Sequence, residues 1–302
     1  MVSPRLRWKL TRARERLRET FAALFQQPPK PRVCFSCGRL VGANEKACSN
    51  CGASQAALSL SAFKRVALAI VPAEHAVTYI LLLANLLFFI VTVIISQRAG
   101  AAGFFDTSNE VLYRLGAKQG WAIFMLGEYW RLVMPIFLHA GALHFGMNSL
   151  VLWQVGPQVE DLFGSARYLF LYLATGVIGF AASAWWYHPA AISVGASGSL
   201  FGLIGILISY ISQQRGFASE YRASLIRWSV FIIIIGIFFP FDNAAHIGGL
   251  LSGMALGRMV SARRPATPAA RFRVGLMGWG SALVIFWSLA MVLLHLPAAG
   301  SP

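Results

Sequence analysis

Apolar runs of about twenty residues recur along this chain, each long enough to cross the hydrocarbon core of a bilayer. AVTYILLLANLLFFIVTVIIS at 76–96 is the first. Runs at about 144–160, 167–187, 197–212, 227–240, 243–259 and 274–296 follow, so the sequence predicts seven crossings. Only 12% of the 302 residues are charged and 57% are hydrophobic, whereas soluble domains carry about a quarter charged residues. A water-soluble globule is excluded. The chain reads as an all-α polytopic membrane protein.

A formal charge of +15 raises nucleic-acid binding as a rival explanation. Threading the Lys and Arg residues through the seven crossings explains them better. Only Arg98, Arg114, Lys118 and Arg131 of the 26 fall on one side, and the rest fall on the other or beside it. That asymmetry is the positive-inside rule. It predicts a cytoplasmic N-terminus, a C-terminus outside and no nucleic-acid partner. The basic start lacks the apolar stretch and cleavage site of a signal peptide.

The predicted organisation has five parts. Residues 1–32 are a basic segment in which Leu6, Leu10, Leu17, Phe21 and Leu24 alternate with arginines at helical spacing. Such a helix can lie on anionic membrane lipids, and a solvated arm is the alternative. Residues 33–52 carry all four cysteines, 53–75 form a linker, 76–260 hold six crossings, and 261–302 hold a basic loop and the seventh. The aromatic stretch from Gln97 to about Leu143 is expected as an outer loop that dips into the interface.

Cys34 and Cys37 form one C-x-x-C knuckle, and Cys48 and Cys51 another. Two knuckles supply four thiolates, the full tetrahedral set that structural zinc requires. Disulfides are the competing reading, disfavoured on the reducing cytoplasmic side. A module this short cannot bury a core, so the metal would supply its folding free energy. The expected cofactor is therefore structural zinc, with no cofactor for catalysis, and the module's cytoplasmic partner is unidentified. The segment resembles short zinc ribbons at the N-termini of bacterial proteins.

Polar residues inside spans are costly, so each needs a reason. Ser197 stands between Gly195 and Gly198 where a loop becomes the fourth span, and a helix N-terminus offers free N–H groups to an oxyanion. His246 opens the sixth span at similar depth, followed by Gly249, Gly253 and Gly257, whose spacing permits close helix approach. A serine and a histidine on abutting helices can form a base-activated nucleophile. Phe201, one turn below Ser197, can stack on the imidazole. His144 and Asn148 share a helix face entering the second span and can both donate to a carbonyl oxygen that turns negative. His139 is expected to pin the outer loop or order water.

In combination these motifs resemble the rhomboid family of intramembrane serine proteases. The resemblance rests on Trp130-Arg131, His139, His144, Asn148, Glu160, Gly195-Ala196-Ser197-Gly198, and His246 with Gly249 and Gly253, over residues 76–260. It implies a six-helix rhomboid-like core plus a seventh C-terminal transmembrane helix, an extended arrangement known in some members, preceded by the four-cysteine module. It also implies a Ser197–His246 catalytic dyad, an oxyanion site of the Ser197 N–H, His144 and Asn148, and structural roles for Trp130, Arg131 and Glu160. The fifth span with Pro240-Phe241-Asp242 corresponds to the family's lateral gate, and the substrates are single-pass membrane proteins. The location implied is a bacterial inner membrane. A catalytically inactive client binder of the same family and a small channel are the alternatives. Polar residues clustered in one half of the bilayer disfavour the channel.

Overall fold

The computed structural model describes residues 32–33, 40–42, 45, 49–50, 74–101, 103, 106–187, 189–214, 219–263 and 265–295. Chain contacts divide it into two units, Met1–Ala69 and Ile70–Pro302. In the first, β1 (Arg32–Val33) pairs antiparallel with β2 (Leu40–Val41), in register Arg32 to Val41. The basic helix and the four cysteines expected there lie outside the described residues.

The second unit is helical. Its long helices are α1 (Ala76–Arg98), α4 (Ala142–Phe163), α5 (Ser165–Trp186), α6 (Ser197–Ser212), α7 (Ser219–Phe238), α8 (Asn243–Met259) and α9 (Pro268–His295). Four of them, α1, α5, α7 and α9, are long and apolar enough to cross a membrane. With the apolar composition they make this a multi-pass membrane protein. The helix α6 has 16 residues and α8 has 17, short for a full crossing.

Apolar side chains cover the outside as well as the core. On α1 the buried residues Thr78, Leu81, Asn85, Phe89, Thr92 and Ser96 repeat at helical period on one face, while Ile80, Leu87, Ile90 and Ile94 are exposed. Phe272, Trp279, Phe286 and Leu294 are exposed on α9 in the same way. A surface of this kind is stable only where lipid is the solvent. The central element is α6, in which every residue from Gly198 to Ser209 is buried. It is surrounded by α4, α5, α7 and α8.

Two buried polar groups fasten the helix ends at the side opposite Ser197. The Glu160 carboxylate accepts from the Val77 and Thr78 backbone N–H groups at 3.1 and 2.9 Å, so α4 caps α1. It also accepts from the Thr78 hydroxyl at 2.8 Å and the Ser165 hydroxyl at 2.7 Å, which adds α5 to the junction. Arg167 on α5 donates to the Arg263 carbonyl at 2.8 Å and to the Ser261 carbonyl, holding the chain that leaves α8.

Some boundaries differ from the sequence expectation. The helix α7 begins at Ser219, before the expected 227, and α9 begins at Pro268, before 274. Their first two turns carry Glu220, Arg222, Arg271 and Arg273, polar residues that a helix tolerates where it leaves the bilayer. The stretch expected as an outer loop contains α2 (Asn109–Arg114), β3 (Lys118–Gln119), α3 (Gly120–Met125) and two 3₁₀ helices, Tyr129–Leu132 and Met134–Phe137. Elements this short are below the length at which hydrophobic period reads out.

Candidate active site

Backbone geometry places Ser197 first. Strand β3 pairs antiparallel with β4 (Ile192–Ser193), in register Lys118 to Ser193, which ties the long loop to the segment entering α6. Two residues on, the Gly195 N–H donates to the Pro135 carbonyl at 2.8 Å. Gly195 has φ of 127°, a conformation that side chains resist. A Cβ there would stand 2.6 Å from His144 Nε2, so glycine is required for backbone and for space. Ser197 then opens α6, half-buried.

Glycines bring His246 to it. The helix α8 lies so close along α6 that a Cβ on Gly249 would fall 2.0 Å from the Gly198 carbonyl oxygen, and one on Gly253 2.0 Å from that of Gly202. One turn before Gly249, the His246 Nε2 meets the Ser197 Oγ at 2.9 Å. The imidazole is 5% exposed and stacks on Phe201, with ring centroids 4.4 Å apart and an interplanar angle of 11°. Phe241 closes over it edge-on at 6.4 Å.

Across the site, Ala140 N–H donates to His144 Nδ1 at 3.3 Å. That contact assigns the remaining proton of the neutral ring to Nε2, the nitrogen beside Gly195. His144 therefore presents a donor to the space next to Ser197. Asn148, one turn further along α4, spends one amide N–H on the His144 carbonyl at 2.8 Å, leaving its second for another acceptor. His139 packs edge-on against His144 and Phe145, at 5.4 and 5.5 Å.

Burial, reinforced by the neighbouring His144, pushes the His139 imidazole down from 6.5 to about 3. The folded loop thus keeps a neutral ring that the unfolded chain protonates near 6.5. Its contribution is complete above pH 6.5 and is lost as pH falls toward 3, by about 1.4 kcal/mol per pH unit. Melting in detergent at pH 6.5 and pH 5 is expected to show about 2 kcal/mol less stability at the lower pH. His139→Gln is expected to flatten that part of the slope, and an unchanged slope would contradict the buried neutral ring.

Trp130 and Arg131 lie away from the serine, in the first 3₁₀ helix. Trp130 is 1% exposed. Arg131 donates to the Tyr113 carbonyl at 2.6 Å and the Ala117 carbonyl at 3.2 Å, and pairs with Glu128. The pair braces the long loop, while Glu160 lies at the far junction described above.

Sequence spacing did not single out Pro135, and Asp242 entered only with the gate segment that the resemblance implied, without its capping role. Asp242 accepts from the Ala245 N–H at 2.9 Å and from the Ser183 hydroxyl, capping α8 just ahead of His246 and fixing it to α5. An aspartate directly before a helix start is the signal that could have found it. Lys118 is 1% exposed, with its ammonium near the Ala191 carbonyl at 3.4 Å and over the Tyr187 ring. Burial pushes it below its usual range, partly offset by the Asp242 carboxylate. Among the described residues no group of three or more His, Cys, Asp or Glu is arranged to hold a metal.

Fold and site together define a polytopic membrane protein with a serine hydroxyl, an imidazole and hydrogen-bond donors gathered between membrane helices. Residues 126–263 match a protein-family model described as Rhomboid domain. The chain is 41% identical over 154 residues to Rhomboid protease GluP of Bacillus subtilis, covering 49% of this chain and 29% of that protein. It is 36% identical over 157 residues to RHOMBOID-like protein 6, mitochondrial, of Arabidopsis thaliana, covering 51% of each. To Rhomboid-type serine protease 2 of Emericella nidulans it is 32% identical over 152 residues, covering 49% of this chain and 30% of that protein. The chain thus spans about half or less of these relatives' lengths. The matches support the rhomboid family.

Proposed function

We propose that this protein is an intramembrane serine endopeptidase that cuts transmembrane helices near the outer membrane face, with Ser197 as nucleophile and His246 as general base. The observation that carries the reading is the 2.9 Å contact between Ser197 Oγ and His246 Nε2, made by helices that touch through glycine. The proposed topology has seven crossings, a cytoplasmic N-terminus and the serine pocket facing the exterior, on the charge asymmetry of the sequence; the bacterial inner membrane is proposed on the resemblance alone.

A peptide bond inside a membrane helix is shielded by its own hydrogen bonds and by the absence of water. The enzyme must therefore admit a locally unwound segment to a polar pocket. The proposed entrance is along α7, which buries only Leu225, Ser229 and Gly236 among its described residues and meets the site through Trp228 against Phe201. In the reaction, Ser197 Oγ adds to the scissile carbonyl carbon while its proton passes to His246 Nε2. Charge on the carbonyl oxygen is met by the Ser197 N–H, the His144 Nε2–H and the free Asn148 amide N–H. The imidazolium returns its proton to the leaving amine, and an acyl-enzyme ester forms. Water, deprotonated by His246, then releases the acid and restores Ser197.

The test is cleavage of a single-pass reporter helix carrying helix-breaking residues, by purified protein in liposomes. Two fragments are expected with wild type and none with Ser197→Ala; intact reporter with wild type would overturn the reading.

For residues 33–52 the proposal is a structural zinc site held by Cys34, Cys37, Cys48 and Cys51, supported by the knuckle spacing. Metal analysis is expected to give about one zinc per chain, lost on Cys34→Ser with Cys48→Ser. Metal-free wild-type protein would contradict it.

A further inference from the structure

The helix α9 adds nothing to the serine pocket directly, yet it grips the loop that shapes it. Ser288, wholly buried, donates from Oγ to the Trp130 carbonyl at 3.0 Å. One turn on, Val292 is 3% exposed and packs into a cluster of Val111, Leu112, Leu115, Ala117, Trp130, Met134 and Leu138. At the end of the helix the His295 ring lies 5.4 Å from the Trp130 ring. Three successive turns of α9 thus hold α2 and both 3₁₀ helices of the long loop.

That loop leads to Ser197 by backbone. Met134, in the cluster under Val292, precedes Pro135, whose carbonyl accepts the Gly195 N–H at 2.8 Å. Gly195 is held at φ 127° two residues before Ser197 and against His144. Leu138, in the same cluster, precedes His139, which packs on His144. Both halves of the candidate site, the serine turn and the donor histidine, therefore rest on segments that α9 packs.

We propose that α9 is a positioning element for this site: through Ser288 and Val292 it holds the 3₁₀ helices, and through Pro135 it holds Gly195 and the Ser197 turn. The inference rests on the protease reading for its consequence but not for its geometry. Substitutions along packed chains of this kind shift coupling by a few-fold to tens-fold, and a change in rate of about fivefold is expected here. A helix that merely added stability would change how much protein is folded. A positioning helix changes how fast each folded molecule reacts.

The experiment compares wild type, Ser288→Ala with Val292→Ala, and Leu283→Ala in the full chain. Leu283 is an exposed residue of α9 and serves as the control. A fluorophosphonate titrates the reactive serine, giving an amplitude (the fraction of competent sites) and a rate constant. The double variant is expected to keep its amplitude, label about fivefold more slowly, and lower kcat on the reporter with KM held. Leu283→Ala is expected to match wild type. A reduced amplitude at an unchanged rate constant, or rates equal to wild type, overturns the proposal. Hydrogen exchange of peptides covering Gly195 and Trp130 tests the clamp independently of activity. Faster exchange in the double variant is expected, and unchanged exchange overturns it. Inert wild-type protein with faster exchange in the variant would instead reject the protease reading and leave the clamp standing.

Discussion

Replacing Ser197 or His246 with alanine is expected to lower reporter cleavage by about ten-thousand-fold or more, the scale seen when a nucleophile or its base is removed. The sharper expectation concerns the pair. The serine is a weak nucleophile until a base takes its proton, and the histidine at 2.9 Å has no other role in that step. In the proposed dyad each is useless alone, so their effects are not expected to add. The double variant is expected to cleave no more slowly than either single one, measured by initial rates with equal amounts of folded protein. A double variant slower by the product of the two single effects would mean that the residues act independently.

The second large effect is expected at Gly253. A side chain there would meet the Gly202 carbonyl oxygen at 2.0 Å and its carbon at 2.7 Å. Both are backbone atoms of a buried helix, which no rotamer change can move aside. Gly253→Val must therefore push α8 off α6, costing about 3 kcal/mol or more, and it carries His246 away from Ser197. Loss of reporter cleavage with a lowered midpoint of denaturation is expected. Gly280 on α9 has nothing within 4 Å of its Cβ position, and Gly280→Val is expected to fold and cleave as wild type does. A tolerated Gly253→Val would contradict the close helix contact.

Much of this architecture is written in local pattern. Long apolar stretches mark α1, α5, α7 and α9, because a helix in lipid must present apolar side chains over its whole length. Spacing of Gly249, Gly253 and Gly257 marks a face where another backbone can approach. The position of Ser197 at a loop-to-helix junction follows from Gly195 before it and the apolar run after it. The long loop is different. Its hold on the site passes through Pro135 to Gly195, a single backbone hydrogen bond between residues far apart in sequence, and through Ser288 to Trp130. A carbonyl carries no residue identity, so no motif announces it. The early starts of α7 and α9 were hidden for a related reason, since polar first turns break the apolar pattern without breaking the helix.

Peptide mapping of a fluorophosphonate adduct on the folded protein tests the central claim most directly. A base-activated hydroxyl at Ser197 predicts a single adduct, on the peptide containing Ser197, that disappears in His246→Ala. An adduct on a different serine, or undiminished labelling of Ser197 without His246, would contradict it.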